Sequence, residues 1–239
     1  MSTEDKIQES DYFNYRSISS EVYDNYKLPN YVVNVLPKDL NASILDIGCG
    51  MGQTLKGIRE RGYTNLKGVD INDESIAKCK SIGLDVEKID DIISFSKSAG
   101  KKYDFIIMSH VLEHIEKSQM IDNLKAIREN LLSENGKYCV MVPNAQSNTG
   151  SYWRFEDFTH HYIFTTGSLI YVLRAAGFTK IEFFDQEGLD DIVPFKRPFV
   201  KILLKLYKFN KKFWNKITVS SYYRPNPQIF TFELKALAS

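Results

Sequence analysis

Short apolar runs alternate with amphipathic stretches along most of this chain. Ser43-Ile44-Leu45-Asp46-Ile47 predicts a first strand over 43–47, and a helix follows over 52–61, closed by Gly62. Leu66–Ile71 predicts a second strand; Asn72 and Asp73 are placed to cap a helix over Glu74–Ile82, and Gly83 ends it. Leu84–Ile89 predicts strand three, with a helix at 92–98. The second half of Tyr103–Met108 is continuously apolar, as expected of a strand buried on both faces. A helix then runs to Leu132, and Gly136 turns the chain into strand five, Lys137–Val142. A long loop over 145–165 precedes a helix at Gly167–Ala176 capped by Thr166, strand six at Thr179–Asp185, and a returning strand seven at Gln228–Leu234. Strands alternating with helices predict one α/β domain spanning 1–239, with a doubly wound, mostly parallel sheet.

Three segments stand outside this alternation. Residues 1–11 are polar and predict a frayed tail. Residues 12–36 predict a helical cap of one or two helices carrying six tyrosine and phenylalanine rings. Those rings either pack on the sheet or form a lid that places Tyr15 and Arg16 near a substrate. Within the inserted region 190–227, residues 195–216 hold eight basic residues and no acidic one. At about 100° per residue, Phe199, Ile202, Leu203, Leu206, Phe209 and Phe213 share one face and the lysines gather on another. Such a helix either docks on the core with its lysines solvated or meets a membrane interface or anionic partner.

Composition narrows the field. The chain has 239 residues and a formal net charge of +1, so no global field argues for nucleic acid. Its three cysteines are widely spaced and form no CxxC pair, which suits a reducing cytosol. There is no apolar leader and no run of eighteen apolar residues, so neither a secretory signal nor a membrane span is expected.

The candidate chemistry begins at Asp46-Ile47-Gly48-Cys49-Gly50-Met51-Gly52. A strand entering a glycine turn and then a helix lets backbone approach a nucleotide-like ligand, because a Cβ would block the turn and the approach. The spacing is D-x-G-x-G-x-G rather than the dinucleotide G-x-G-x-x-G, which disfavours a nicotinamide oxidoreductase. Asp70 ends strand two about twenty positions after the glycines, where a carboxylate can accept from both hydroxyls of a ribose. In Asp90-Asp91-Ile92, Asp91 either meets an adenine amine, with Ile92 packing on the ring, or caps the next helix.

Four sites now stand in order: Leu-Asp-Ile-Gly-Cys-Gly-Met-Gly, Gly-Val-Asp-Ile, Asp90-Asp91-Ile92, and Phe-Ile-Ile-Met-Ser-His-Val-Leu-Glu-His. Together, over roughly residues 40–185, they resemble the class I S-adenosylmethionine-dependent methyltransferases, and the last resembles their small-molecule branch. The stretch from Asp157 to Thr165 is similar to methyltransferases of lipopolysaccharide and capsule gene clusters. The resemblance implies a Rossmann-like, seven-stranded sheet with an antiparallel last strand and S-adenosyl-L-methionine as cofactor. It implies that Gly48, Gly50 and Gly52 pass under the methionine part and ribose, that Asp46 orients the ammonium, that Asp70 and the adjoining Ile71 meet the ribose, and that Ser109 and His110 flank the methionine.

A hydroxyl acceptor calls for a general base, and His160 and His161 lie in the loop expected to cover it, with Asp157 as an orienter. Tyr152, Trp153 and Arg154 of the same loop are the substrate candidates. A divalent metal between Glu113, His114 and a loop histidine is conceivable, but the spacing does not compel it and none is expected. The leading expectation is O-methylation of a bacterial sugar, glycan or cell-surface precursor. The alternatives are a quinone-like lipid or phosphoryl-linked acceptor, and a non-catalytic binding module. The expected setting is cytoplasmic, extending to the inner face of the membrane through 195–216, with a small-molecule or glycan acceptor, no nucleic acid partner and oligomeric state open.

Overall fold

The computed structural model describes residues 25–239. The expectations for 1–11, for most of the 12–36 cap, and for Tyr15 and Arg16 lie outside the described residues. One seven-stranded sheet organises the rest, in the order β3-β2-β1-β4-β5-β7-β6. Its strands are β1 (Ile44–Ile47), β2 (Leu66–Asp70), β3 (Val86–Lys88), β4 (Tyr103–Ser109), β5 (Leu132–Pro143), β6 (Ile181–Phe183) and β7 (Glu233–Ala238). The first five pair in parallel, and β7 runs antiparallel to both β5 and β6. β1 lies between β2 and β4, so the winding reverses there, and the carboxyl ends of those strands open the crevice where such sheets hold ligands.

The helices are α1 (Asn30–Val33), α2 (Gln53–Arg59), α3 (Asp73–Ser81), α4 (Ile92–Ser98), α5 (Met120–Ala126), α6 (Gly150–Glu156), α7 (Thr166–Ala175) and α8 (Arg197–Ile217). Alternate residues of the central strands fill the two sides of the sheet. In β4, Ile106 and Met108 join the core under α4, α5 and α7, while Phe105 and Ile107 join the core that holds Ile58 of α2 with Leu28 and Val32. That double burial is why β4 reads as an unbroken apolar run.

Several boundaries differ from the sequence expectation. β7 begins five residues later than the strand expected at Gln228, because another partner takes the backbone before it. The Asn144 side chain donates to the carbonyls of Ile229 (2.8 Å) and Thr231 (2.9 Å), and its N–H donates to that of Phe232 (2.9 Å). The loop expected over 145–165 contains α6. The cap of α7 is Thr165, not Thr166: Thr165 Oγ1 accepts from the Ser168 N–H, and Thr166 Oγ1 instead donates to the Pro227 carbonyl at 2.8 Å. After β4 there is a tight turn at Leu112–His114, and α5 starts only at Met120 before closing in a wider turn over Ile127–Leu131.

Candidate active site

The glycine turn is tied from both sides. The N–H groups of Gly48 and Cys49 donate to the Val69 carbonyl of β2 at 2.8 and 3.1 Å. Asp70 then takes the Gly50 N–H on one carboxylate oxygen (2.8 Å) and the Asn72 N–H on the other (2.9 Å). Asn72 in turn caps α3, accepting from the Ser75 N–H at 3.0 Å. Asp70 therefore joins the two turns that follow β1 and β2.

The three glycines have different reasons to be glycine. Gly48 (φ +72°) would place a Cβ 2.3 Å from Cγ2 of Val111, and Gly52 (φ +80°) would place one 2.5 Å from Cδ1 of Leu84. Gly50 (φ +51°) would place a Cβ in ordinary contact with the Gln53 side chain, 3.8 Å away, so its left-handed backbone is the reason for glycine there. Two glycines thus serve packing and conformation, and the middle one conformation.

Beneath it, Asp46 is 3% exposed. Burial, and then the nearby Asp70 charge, push its pKa up to about 7. The Asp70 carboxyl is also raised by burial, against the pull of the backbone N–H groups of Asn72, Gly50 and Ile71. Ile71 is exposed at the lip of the crevice.

At the next turn the structure shows one of the two readings offered for Asp91, the helix cap. Asp91 caps α4, accepting the Ser94 N–H at 2.8 Å, and this bond holds its carboxyl below the usual range. Ile92 is buried in the main core.

β4 delivers Ser109 and His110 to the same edge. His110 has a left-handed backbone (φ +54°) and donates its N–H to the Met141 carbonyl at 2.9 Å. Its ring lies between two carboxylates, with Nδ1 3.3 Å from Glu113 and Nε2 3.1 Å from Glu233. Desolvation opposes its charge, but the flanking Glu113 and Glu233 carboxylates outweigh it and hold the pKa at about 10. Tyr31 also bonds Glu233, and burial followed by the Glu233 charge raises its hydroxyl pKa strongly. Tyr26 bonds Thr54, and its pKa is pushed up to about 12, chiefly by burial. In the 25–36 segment Leu28 and Val32 pack in the core, and the Tyr26 and Tyr31 hydroxyls bond Thr54 and Glu233.

The second half of the site is a buried polar cluster. Glu113 is fully buried with neither carboxylate oxygen in a hydrogen bond, and its carbonyl accepts the His161 N–H at 2.9 Å. His160 is buried, with Nδ1 2.8 Å from the Trp153 carbonyl, which makes Nδ1 the donor and leaves the lone pair on Nε2. That Nε2 is 3.9 Å from carboxylates of both Glu113 and Asp157. Asp157 chiefly holds Thr159, accepting its N–H (3.0 Å) and hydroxyl (2.6 Å), and Thr159 Oγ1 accepts from His114 Nδ1 at 2.8 Å. The structure thus brings His160 and Asp157 together, although Trp153 rather than Asp157 orients the ring. The expected alternative, His161, is exposed, and its backbone serves as a buttress on the Glu113 turn.

Glu113, His114 and His160 each offer a donor atom within 4.8 Å of the others, the set that could hold a metal ion among the described residues. Ligands around a zinc-sized ion stand only about 3.4 Å apart, so the set would have to contract. The cationic His110 already faces Glu113, which weighs against adding a dication there.

Trp153 (α6) leans on Phe232 at 5.1 Å between ring centroids, Phe232 stacks on His110 at 5.9 Å, and Tyr152 meets Trp153 edge-on at 5.3 Å. Arg154 donates to the His160 carbonyl, so it braces the loop. Sequence reasoning missed Glu233 and Phe232. The available signal was an ionisable pair, Glu233 and Lys235, at alternate positions of an otherwise apolar strand.

Comparison with known proteins decides the family. A family profile described as "Methyltransferase domain" matches residues 22–182. The chain belongs to this methyltransferase family. It is a class I, S-adenosylmethionine-dependent methyltransferase. Among solved structures, a SAM-dependent methyltransferase from Archaeoglobus fulgidus is similar over 95% of this chain and 97% of its own, at 22% identity and a TM-score of 0.64. A possible histamine N-methyltransferase from Thermotoga maritima aligns over 98% and 99% at 14% identity, TM-score 0.62. The plantazolicin methyltransferase BpumL, solved with SAH, aligns over 98% and 94% at 19% identity, TM-score 0.58. Identities this low establish the shared fold. A curated relative, the bifunctional methionine biosynthesis protein MetXA/MetW of Rhodopirellula baltica, is 28% identical over 93 residues. The match covers 36% of this chain and 15% of that protein.

Proposed function

We propose that this methyltransferase O-methylates a hydroxyl of a bacterial sugar, glycan or related cell-surface precursor, with His160 as the general base. The observation that carries the reading is the Nδ1 bond of His160 to the Trp153 carbonyl at 2.8 Å. It fixes the tautomer that a base needs, with the Nε2 lone pair beside the loop expected to cover the acceptor. Support for a sugar comes from the Tyr152–Trp153–Phe232 ring surface, which offers flat apolar faces, and from the likeness of 157–165 to glycan-cluster enzymes.

Bound S-adenosylmethionine supplies an electrophilic methyl group, so the chain's task is alignment and proton handling. The backbone of the glycine turn would lie under the cofactor, and Asp70, already tied to that turn, would accept its ribose hydroxyls. Asp46 would meet its ammonium, and His110 would face its carboxylate. His160 Nε2 would take the acceptor's hydroxyl proton, while the cofactor would supply the methyl group, its carbon–sulfur bond breaking to leave the neutral thioether as the oxygen–carbon bond forms.

Incubation with S-adenosylmethionine and a panel of nucleotide sugars and phosphorylated sugars, read by mass spectrometry, should show a methylene gain in one class. Gain only in quinone-like or amine acceptors would replace the acceptor assignment, and no gain in any class would favour a binding module. His160→Ala should lower turnover about 10²–10⁴-fold with S-adenosylhomocysteine affinity retained, and His160→Gln should abolish the acidic limb of the pH–rate profile. His161→Ala should change little. Equal small losses in His160→Ala and His161→Ala would remove the base.

A further inference from the structure

Helix α8 is turned inside out relative to an ordinary surface helix. It is 21 residues long and none of them is buried. Its partly covered positions, among them Val200, Leu204, Tyr207 and Lys211, form one stripe facing the body. Tyr207 anchors that stripe: its hydroxyl donates to the Asn148 side chain at 2.7 Å, and its ring meets Phe230 at 5.6 Å. At about 100° per residue, Phe199, Ile202, Leu206, Phe209, Phe213 and Ile217 lie on the opposite side. They are between 47% and 70% exposed. A docked amphipathic helix points its apolar stripe at the core; here the stripe points away from it.

Charge identifies the occupant. Lys201, Lys205, Lys212 and Lys216 form a row along one flank of the apolar stripe, and Lys208 on the same flank pairs with Glu187 at 2.9 Å. From Ile192 to Phe232 there are nine basic residues and no acidic one, in a chain of net charge +1. Apolar side chains facing outward with lysines beside them match the boundary between lipid headgroups and acyl chains, where the lysine stems reach back to phosphates. A second copy of the helix would bring like-charged rows together. Among the described residues no helix is long and apolar enough to cross a membrane, so α8 would lie on the surface rather than span.

We propose that α8 docks the enzyme on an anionic bilayer, apolar stripe down and body above. Asn148, the partner of Tyr207, lies two residues before α6, which carries Tyr152 and Trp153. Docking therefore holds the acceptor loop beside the lipid surface. This surface does not depend on which acceptor is methylated.

The full-length protein should co-sediment with vesicles of phosphatidylglycerol and phosphatidylcholine, at least tenfold more tightly than with phosphatidylcholine alone, and the difference should shrink in high salt. Trp214 fluorescence should shift to the blue on binding. Lys201→Glu/Lys205→Glu/Lys212→Glu should lose the preference for anionic vesicles, and Phe209→Ser/Phe213→Ser should lose vesicle binding altogether. Because these side chains are exposed, both variants should keep the wild-type circular dichroism spectrum and S-adenosylhomocysteine affinity, which separates this test from that of the active site. Absence of binding to anionic vesicles by the folded wild-type protein overturns the proposal. So does concentration-dependent dimerisation that Phe209→Ser/Phe213→Ser abolishes, if vesicle binding is absent, because the stripe is then an interface between copies.

Discussion

Asp70→Asn should separate two functions of one carboxylate. In the free protein its oxygens accept from Gly50 (2.8 Å) and Asn72 (2.9 Å). Asparagine keeps one acceptor oxygen and turns an NH₂ toward the other N–H. A hydrogen bond to a charged group contributes about 1.5–3 kcal/mol, and an unsatisfied buried donor costs about as much. Against this stands a gain: burial raises the Asp70 pKa, so removing its charge relieves desolvation and the repulsion on Asp46. A net loss of about 1–2 kcal/mol follows, which for a domain of this size lowers Tm by roughly 3–6 °C. S-adenosylhomocysteine should lose more, because its ribose hydroxyls would then donate to a neutral, half-occupied amide. A loss of about 2–3 kcal/mol is roughly 30–150-fold in Kd. Urea unfolding measures the first effect and calorimetric titration the second. Lost stability with affinity within twofold of wild type would refute the ribose contact. Lost affinity with an unchanged unfolding midpoint would refute the anchoring of the glycine turn.

Asp46, with a pKa of about 7 against an ordinary 3.8, keeps a proton in the folded chain that the unfolded chain releases. Its contribution to stability therefore falls as pH rises from about 4 to about 7 and is level above. S-adenosylhomocysteine, whose ammonium needs the ionised form, should bind up to about tenfold more weakly for each pH unit below 7, with a plateau above; in Asp46→Asn calorimetry should show this slope gone. Gly48→Ala should cost about 1–2 kcal/mol for its left-handed backbone and about 1–3 kcal/mol for the overlap with Val111. Adding Val111→Ala should recover the overlap but not the backbone cost, and a double-mutant cycle in urea that shows no coupling would exclude the contact.

The strand–helix order, the glycine turn and Asp70 were legible in the sequence because they depend on local chemistry. Apolar runs of β4 and β1 report burial directly, and Asn72 and Asp91 carry the signature of caps in their own neighbourhood. What sequence missed depends on partners far along the chain. The start of β7 was misplaced because Asn144, 85 residues from Ile229, takes the carbonyls that a strand would use. The counter-charge of His110 comes partly from Glu233, 123 residues away. The choice between His160 and His161 could not be made from adjacent identical letters; the carbonyl of Trp153 and the burial of one ring decide which belongs to the cluster. The face of α8 was legible as a pattern, but its outward direction was not, since periodicity describes a stripe and not what lies beneath the other side.

The most direct test is the structure of the complex with S-adenosylhomocysteine. The account predicts the ribose hydroxyls within hydrogen-bonding distance of Asp70, backbone of the Gly48–Gly52 turn under the ligand, and the sulfur on the side of the His110–His160 cluster. A ribose away from Asp70, or a sulfur that His160 cannot approach through an acceptor hydroxyl, would contradict it.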